Sequence, residues 1–166
     1  KLYFYVSGRA VPADPQWKGA CTTGLAVLRR DGFASMDADG QTGTLTTRPV
    51  IFRGKHLFVN LAAAEGELRV EVLDVQGEPV EPFTRRNCQP ARGDKTLLPL
   101  RWIGAADLSA LAGKPVKFRF HLTRGSLYAF WTSPAATGAS HGYIAAGGPG
   151  FTGPTDTVGI DSLRTR

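Results

Sequence analysis

Several short stretches of this chain alternate apolar and polar residues one by one, and this pattern constrains the fold more than any other feature. The stretches PVKFRFHL (115–122), HLFVNL (56–61) and GELRVEVLD (66–74) show it most clearly. A period of two belongs to a β-strand with one buried face, whereas an amphipathic helix repeats about every 3.6 residues. The sequence therefore predicts antiparallel strands with one buried and one wet face. The set predicted to point inward is Leu57, Val59, Leu61, Leu68, Val70, Val72, Val116, Phe118, Phe120 and Leu122.

Turn-forming pairs separate these stretches from one another and from further candidate strands. The pairs are Asp31–Gly32, Asp39–Gly40, Arg53–Gly54, Glu65–Gly66, Gln76–Gly77, Gly93–Asp94 and Arg124–Gly125. About nine short strands at spacings of roughly ten residues predict an all-β fold, an antiparallel, jelly-roll-like β-sandwich. One short helical turn is expected near residues 107–112, because Gly113 suits its left-handed end and Pro115 prevents its continuation.

The chain has the length of one domain, 166 residues, and its composition divides it into three parts. Residues 1–20 are predicted to be a linker or the remnant strand of a preceding domain. Residues 21–132 hold the alternating stretches and are predicted to form the sandwich. Residues 133–166 are rich in Gly and Pro and lack periodicity, so a tail is expected that packs on the sandwich or trails from it.

The net charge of +6 comes from basic residues that are scattered along the chain. No nucleic-acid-binding motif accompanies the densest pairs, Arg29/Arg30 and Arg85/Arg86, so no nucleic-acid partner is predicted. No apolar run reaches the roughly 18 residues that a membrane span needs, so no membrane partner is predicted. A positive surface does suit acidic glycans such as uronans, whose binding fades as salt is added.

The two cysteines, Cys21 and Cys88, leave two states open. A disulfide between them would close a long loop and stabilise the fold by about 4 kcal/mol in the chain-entropy model. The alternative is a pair of free buried thiols. No Cys-x-x-Cys motif and no Cys/His cluster supports a zinc site.

The stretch LRRDGFASMDADG (28–40) concentrates charge in thirteen positions. Asp31–Gly32 is a strong signal for a two-residue type I′ turn, which would join GLAVLRR and FASMD as a β-hairpin. Asp37 and Asp39, beside a glycine, match part of a calcium-binding loop. The other ligands of such a loop are missing, so a plain turn is the favoured interpretation and a structural calcium ion at Asp37 and Asp39 is the alternative. No other cofactor is expected.

Nothing in the sequence singles out a catalytic site. Most of the fourteen carboxylates occupy turn positions, and Glu71, the clearest strand carboxylate, is expected on an outward face with Arg69. His121 is expected on the solvent side of its strand. The interpretation leans away from an enzyme, and a glycan-active enzyme with an unrecognised site stays open as a further hypothesis.

Aromatic residues in or beside irregular stretches are candidates for sugar binding, because the C–H face of a sugar ring stacks on aromatic rings. These carbohydrate-binding candidates are Trp17, Trp131 and Tyr143. The competing interpretation, favoured for each residue, is that the rings pack the chain ends against the sandwich, since large aromatic side chains are highly buried on average. Trp102 is predicted to belong to the core.

Three series of residues resemble one recurring module: TGLAVLRRDGFASMDA, GTLTTRPVIFRGKHLFVNLAAAEGELRVEVLDVQGEPVEPF and LRWIGAADLSALAGKPVKFRFHLTRGSLYAFW. Over roughly residues 22–132 they are similar to the C-terminal β-sandwich that follows the five-bladed β-propeller in proteins like glycoside hydrolase family 32, often of environmental bacteria. The opening KLYFYVSGR resembles the last strand of such a propeller.

The resemblance implies an accessory role, because the catalytic carboxylates of that family belong to the propeller. The expected function is a noncatalytic carbohydrate-binding or accessory module of a secreted bacterial glycoside hydrolase that degrades polysaccharides, in the periplasm or outside the cell. Its expected partners are a polysaccharide or oligosaccharide and the catalytic propeller of the same parent chain. The alternative is a purely structural domain that stabilises the propeller.

Overall fold

A computed structural model describes residues 1–10 and 20–139 of the chain, and nearly every regular element in them is a β-strand. The all-β fold is confirmed, as is the short helical turn, a 3₁₀ helix over Ser109–Leu111 that is followed by Gly113 at a φ of 77°. The strands are β1 (Leu2–Ala10), β2 (Ala20–Leu28), β3 (Met36–Ala38), β4 (Gly43–Thr46), β5 (His56–Leu73), β6 (Ala91–Leu100), β7 (Lys117–Thr123) and β8 (Gly125–Ser133).

The long strand β5 organises the main sheet, and all of its pairings are antiparallel. Leu61 in its first half pairs with β6 on one side and β8 on the other. Leu68 in its second half pairs with β6 and with β7. Strands β8 and β7 therefore follow one another along the same edge of β5. Outside them, β3 pairs with β8 and β4 pairs with β7.

The sheet folds over on itself, as the rings of Phe120 in β7 and Phe130 in β8 show. Their centroids are 4.8 Å apart. Ten residues of straight strand would separate them by about 33 Å. The first half of the sheet must therefore face the second half across a common core. The two layers of the sandwich are thus the two halves of the same folded sheet.

Backbones approach each other closely at the corner where the sheet folds. A Cβ atom added to Gly66 in β5 would lie 1.7 Å from the carbonyl oxygen of Thr123. Opposite it, Arg124 has a φ of 46°, and its amide donates to the carbonyl oxygen of Asp39 at 2.7 Å. The segment between β3 and β4 therefore turns at the same corner as β5 and as the junction of β7 and β8. Glycine is required at residue 66 because any side chain would collide with backbone there.

The predicted core is confirmed. Each side chain expected to point inward is buried, and the two halves of β5 contribute to one hydrophobic cluster. Loops close the open side of this cluster with Phe83, Leu108, Leu111 and Trp102. Trp102 lies in the core as predicted, and its Nε1 donates to the carbonyl oxygen of Val70 at 3.0 Å.

Two strand predictions are corrected by the structure. HLFVNL and GELRVEVLD are one continuous strand, β5, because residues 62–67 bend without leaving the sheet. The predicted hairpin between GLAVLRR and FASMD is wrong, since β2 pairs with β1 over nine residues while β3 pairs with β8. Asp31 and Gly32 do form a turn, with Asp31 at a φ of 53° and the Gly32 amide donating to the Arg29 carbonyl. That turn leads the chain from one sheet into the other.

Strands β1 and β2 form a separate two-stranded sheet, called the ribbon below. Within the described residues, they pair only with each other. The ribbon joins Leu2–Ala10 with Ala20–Leu28, so it spans the boundary predicted near residue 20.

The corner gives a direct stability prediction. Gly66→Ala should lower the free energy of unfolding by about 3 kcal/mol, because the new methyl group can be accommodated only by moving the backbone of β7. Gly40→Ala is the matched control, since a Cβ at Gly40 meets nothing within 4 Å, and its effect should stay within about 0.5 kcal/mol. Urea denaturation measures both values. Equal effects of the two substitutions would show that the corner does not need glycine.

Candidate functional site

Arg29 attaches the ribbon to the sandwich. Its Nε donates to Oδ1 of Asn60 at 2.6 Å, and its Nη2 donates to the carbonyl oxygen of Leu61 at 3.0 Å. Its Nη1 donates to the carboxylate of Asp94 on β6. The guanidinium also lies 4.8 Å from the ring centre of Tyr128 on β8. One side chain thereby holds the end of the ribbon against three strands of the main sheet.

Asn60 completes this anchor from inside the sheet. Its side chain is fully buried, and its Nδ2 donates to the carbonyl oxygen of Arg30. The amide therefore bonds both the side chain of Arg29 and the backbone of the next residue, at the irregularity in β5 where the pairing register shifts. The signal in the sequence is a polar residue within the apolar segment HLFVNL, but its partner, 31 residues away, cannot be read from that segment.

An open cleft of about 750 Å³ lies between the ribbon and β6, and it is called the ribbon cleft below. It is lined by Lys1, by residues 27–30 at the end of the ribbon, and by residues 94–97 of β6. Its volume falls within the range of small-ligand sites, roughly 300–1,000 Å³. The sequence did not predict this cleft, because it depends on how the ribbon and the sandwich are placed relative to each other.

One face of the ribbon exposes large apolar and aromatic side chains. Tyr3 pairs with Val27 across the two strands, and Tyr5 pairs with Leu25, so the four side chains share a face. Their exposed fractions are 60% for Tyr3, 49% for Val27, 84% for Tyr5 and 55% for Leu25. On the opposite face, Phe4 contacts Phe33 edge-on, with ring centres 6.1 Å apart.

Of the carbohydrate-binding candidates, Trp131 is described and Trp17 and Tyr143 lie outside the described residues. Trp131 stacks on Phe58 with ring centres 5.7 Å apart, and its Nε1 donates to the carbonyl oxygen of Gly138 at 3.0 Å. The ring is half-buried, with one face against Phe58 and its only polar atom already bonded. Trp131 thus holds residues 133–139 against the sandwich, as the competing interpretation expected.

Asp37 and Asp39 lie at the corner of the sheet and bond to their own surroundings. Hydrogen bonds from Ser126 and Ser35 hold the pKa of the Asp37 carboxyl below its ordinary value. The carboxylate of Asp39 accepts the amide of Gln41 at 3.0 Å. In the part of the chain that the structure describes, no group of three or more His, Cys, Asp or Glu side chains is placed to hold a metal ion.

Cys21 and Cys88 are both free thiols, which agrees with the second of the two states that the sequence left open, except that only one of the two is buried. Cys21 is exposed on the ribbon, whereas Cys88 is buried in the sandwich. The Cys88 sulfur accepts the amide of Val70 at 3.2 Å. Burial raises the pKa of the Cys88 thiol, which therefore stays protonated and unreactive at neutral pH.

Glu71 and His121 form a buried pair, which corrects the expectation that both face solvent. Each has about 8% of its surface exposed, and Nε2 of His121 lies 2.9 Å from Oε1 of Glu71. Arg119 reaches the same carboxylate oxygen at 3.3 Å. On the predicted outward face, Glu71 of β5 pairs with Arg119 of β7, and His121 of β7 pairs with Arg69 of β5. Neither residue lines the ribbon cleft or the 180 Å³ cavity beside Trp102.

No family model, curated protein or solved structure matches the chain. In residues 1–10 and 20–139, no helix is long and apolar enough to cross a membrane.

The anchor can be tested by a conservative substitution. Arg29→Lys should lower the free energy of unfolding by about 2 kcal/mol, because an ammonium group cannot serve Asn60, Leu61 and Asp94 together and leaves buried acceptors unpaired. Arg92→Lys is the control, since Arg92 makes an exposed ion pair with Glu67 and should change stability by less than about 1 kcal/mol. Both are measured by urea denaturation, and an Arg29 effect as small as that of Arg92 would contradict the anchor.

The two thiols should react at very different rates. With a maleimide at neutral pH, Cys21 should be labelled in the native protein because it is exposed, and Cys88 should be labelled only after denaturation because it is buried and protonated. Mass spectrometry of the labelled peptides separates the two. Protection of both residues until a reductant is added would instead show a disulfide between them.

Proposed function

We propose that the chain is a noncatalytic accessory β-sandwich of a secreted glycoside hydrolase that degrades polysaccharides, and that it docks on the catalytic domain of the same parent chain through its ribbon. The observation that carries this proposal is the exposed face of Tyr3, Tyr5, Leu25 and Val27. Contiguous apolar surface of this kind marks interaction sites on proteins.

The physical state of the ribbon supports docking. A two-stranded sheet with no third strand is at best marginally stable in water. Among the described residues, the hydrogen bonds that anchor the ribbon to the sandwich lie at its Leu28–Arg30 end and are those of Arg29 and Asn60. A protein surface laid over Tyr5 and Leu25 would bury their rings and methyl groups and stabilise both strands at once.

The resemblance of residues 22–132 to the sandwich that follows a β-propeller supports the choice of partner. In that arrangement the preceding domain is the catalytic one. The ribbon comes before the sandwich in sequence, and its exposed face is the surface that we propose meets the catalytic domain.

The polar pairs of the sandwich support a noncatalytic role. General acid–base chemistry needs a titratable group within reach of a substrate. Glu71 and His121 are instead bonded to each other and to Arg119 between neighbouring strands. Glu67 is likewise held between Arg92 and Arg69, which lower the pKa of its carboxyl.

A second candidate function, carbohydrate binding, is favoured by the ribbon cleft. The cleft is open, has the volume of a small-ligand site, and offers both charged and apolar side chains. The cleft lies at the base of the ribbon and shares Val27 with the exposed face, whereas Tyr3, Tyr5 and Leu25 do not line it, so a partner that covers those three residues leaves the cleft open.

Docking predicts protection of the ribbon in the parent polypeptide. Amide hydrogen exchange in β1 and β2 should be about tenfold slower in the parent polypeptide than in the isolated chain, because the hydrogen bonds between the two covered strands open less often. Leu25→Asp should remove this protection in the parent polypeptide by placing a carboxylate in the apolar contact. Val75→Asp is the control, since Val75 is also an exposed apolar residue but lies in a turn of the sandwich. Ribbon amides that exchange equally fast in both proteins would contradict the proposal.

A further inference from the structure

We infer that the ribbon cleft binds an acidic glycan, and that Lys95 is the residue that meets its carboxylate or sulfate group. This inference rests on the accessory role proposed above and names the chemical class of ligand for the cleft.

The charges that line the cleft are unbalanced. Four basic side chains, Lys1, Arg29, Arg30 and Lys95, face one acidic side chain, Asp94. The ion pair between Arg29 and Asp94 removes one charge of each sign. Arg30 is likewise paired with Asp31. What remains is a surplus of positive charge from Lys1 and Lys95, which attracts an anionic ligand.

Lys95 is the cation best placed to bind such a ligand. Its side chain is exposed, and it makes no hydrogen bond or ion pair with another residue of the described chain. Arg29 contributes positive potential but has its donors engaged. Arg30 is directed toward Asp31 at 3.3 Å. Because the guanidinium of Arg29 is already bonded, the free ammonium of Lys95 is the group that contacts the acidic ligand directly.

The rest of the lining suits a sugar. Val27 and Leu97 are 49% and 41% exposed, and they offer apolar surface for the C–H face of a ring. Thr96, the residue between Lys95 and Leu97, also lines the cleft, and its hydroxyl can form hydrogen bonds with sugar hydroxyls. An acidic sugar presents these three kinds of group, negative charge, C–H surface and hydroxyls, on one small unit.

Neutral glycans and nucleic acids fit the cleft less well. Among the residues that the structure describes, no aromatic ring lines the cleft, so they offer neither a neutral sugar nor a nucleotide base a ring on which to stack. Strong binding to nucleic acid also requires many phosphate contacts. Lys1 and Lys95, whose side chains bond no other described residue, do not form such a track, whereas they match one or two charged sugar units.

The test is affinity electrophoresis of the isolated chain in gels that contain polygalacturonate, dextran sulfate or neutral dextran. Polygalacturonate offers carboxylates and dextran sulfate offers sulfates, so a preference between them identifies the anionic group. The isolated chain should be retarded by at least one acidic polymer and not by dextran. Added salt should reduce the retardation, because exposed charges are screened.

Substitutions then locate the site. Lys95→Glu should weaken binding at least about fivefold, whereas Lys114→Glu, the same charge change at an exposed turn residue outside the cleft, should change it less than about twofold. Circular dichroism and urea denaturation confirm that both variants fold. Equal losses of binding in the two variants would mean that binding to the acidic polymer depends only on the net charge of the protein, and the inference would be wrong.

Other outcomes separate this inference from the proposed function. Retardation by dextran that is unchanged in Lys95→Glu would support carbohydrate binding and overturn the acidic specificity. Retardation by a polyuridylate control that disappears in Lys95→Glu would assign the cleft to nucleic acid and overturn the inference. Absence of retardation by every polymer would overturn both sugar proposals and leave ribbon docking intact, since hydrogen exchange tests that separately.

Discussion

The close approach of backbones at the corner of the sheet is the constraint on which the rest of the structure depends. Gly66 allows the backbone of β5 to lie directly against the carbonyl oxygen of Thr123. The neighbouring strands turn at the same corner, where the amide of Arg124 donates to the carbonyl oxygen of Asp39. Because all the long strands bend together, their two halves face each other and share one core. A sheet that stayed flat would leave Phe120 and Phe130 about 33 Å apart, each with water on one side.

The strand faces could be predicted from the sequence, because burial with a period of two depends only on neighbouring residues. The alternating stretches therefore led to the correct core. Strand partners could not be predicted in the same way. The turn at Asp31–Gly32 was recognised by its residues, but which strands flank a turn depends on the competing ladder of nine pairs between β1 and β2.

The functional surfaces were less accessible to sequence reasoning. Asp37 and Asp39 drew attention as oxygen donors, yet their environment is the corner, where neighbouring hydroxyls and amides bond them. Glu71 and His121 lie on the outward face as the pattern requires, yet they are buried, and Glu71 is bonded to His121 and to Arg119. In the sequence, Arg29 was only one member of a basic pair, Arg29/Arg30. Its role appears only when Asn60 and Asp94, distant in sequence, are brought beside it.

The ribbon has a consequence for solution behaviour beyond its apolar face. Each of its two strands has one edge along which, among the described residues, no further strand pairs. Open edges beside aromatic side chains are templates on which a second molecule can add its own strand. A domain that covered the ribbon, as proposed above, would therefore also prevent this self-assembly. With the ribbon uncovered, its open edges would promote aggregation, and the aggregated fraction would rise with protein concentration.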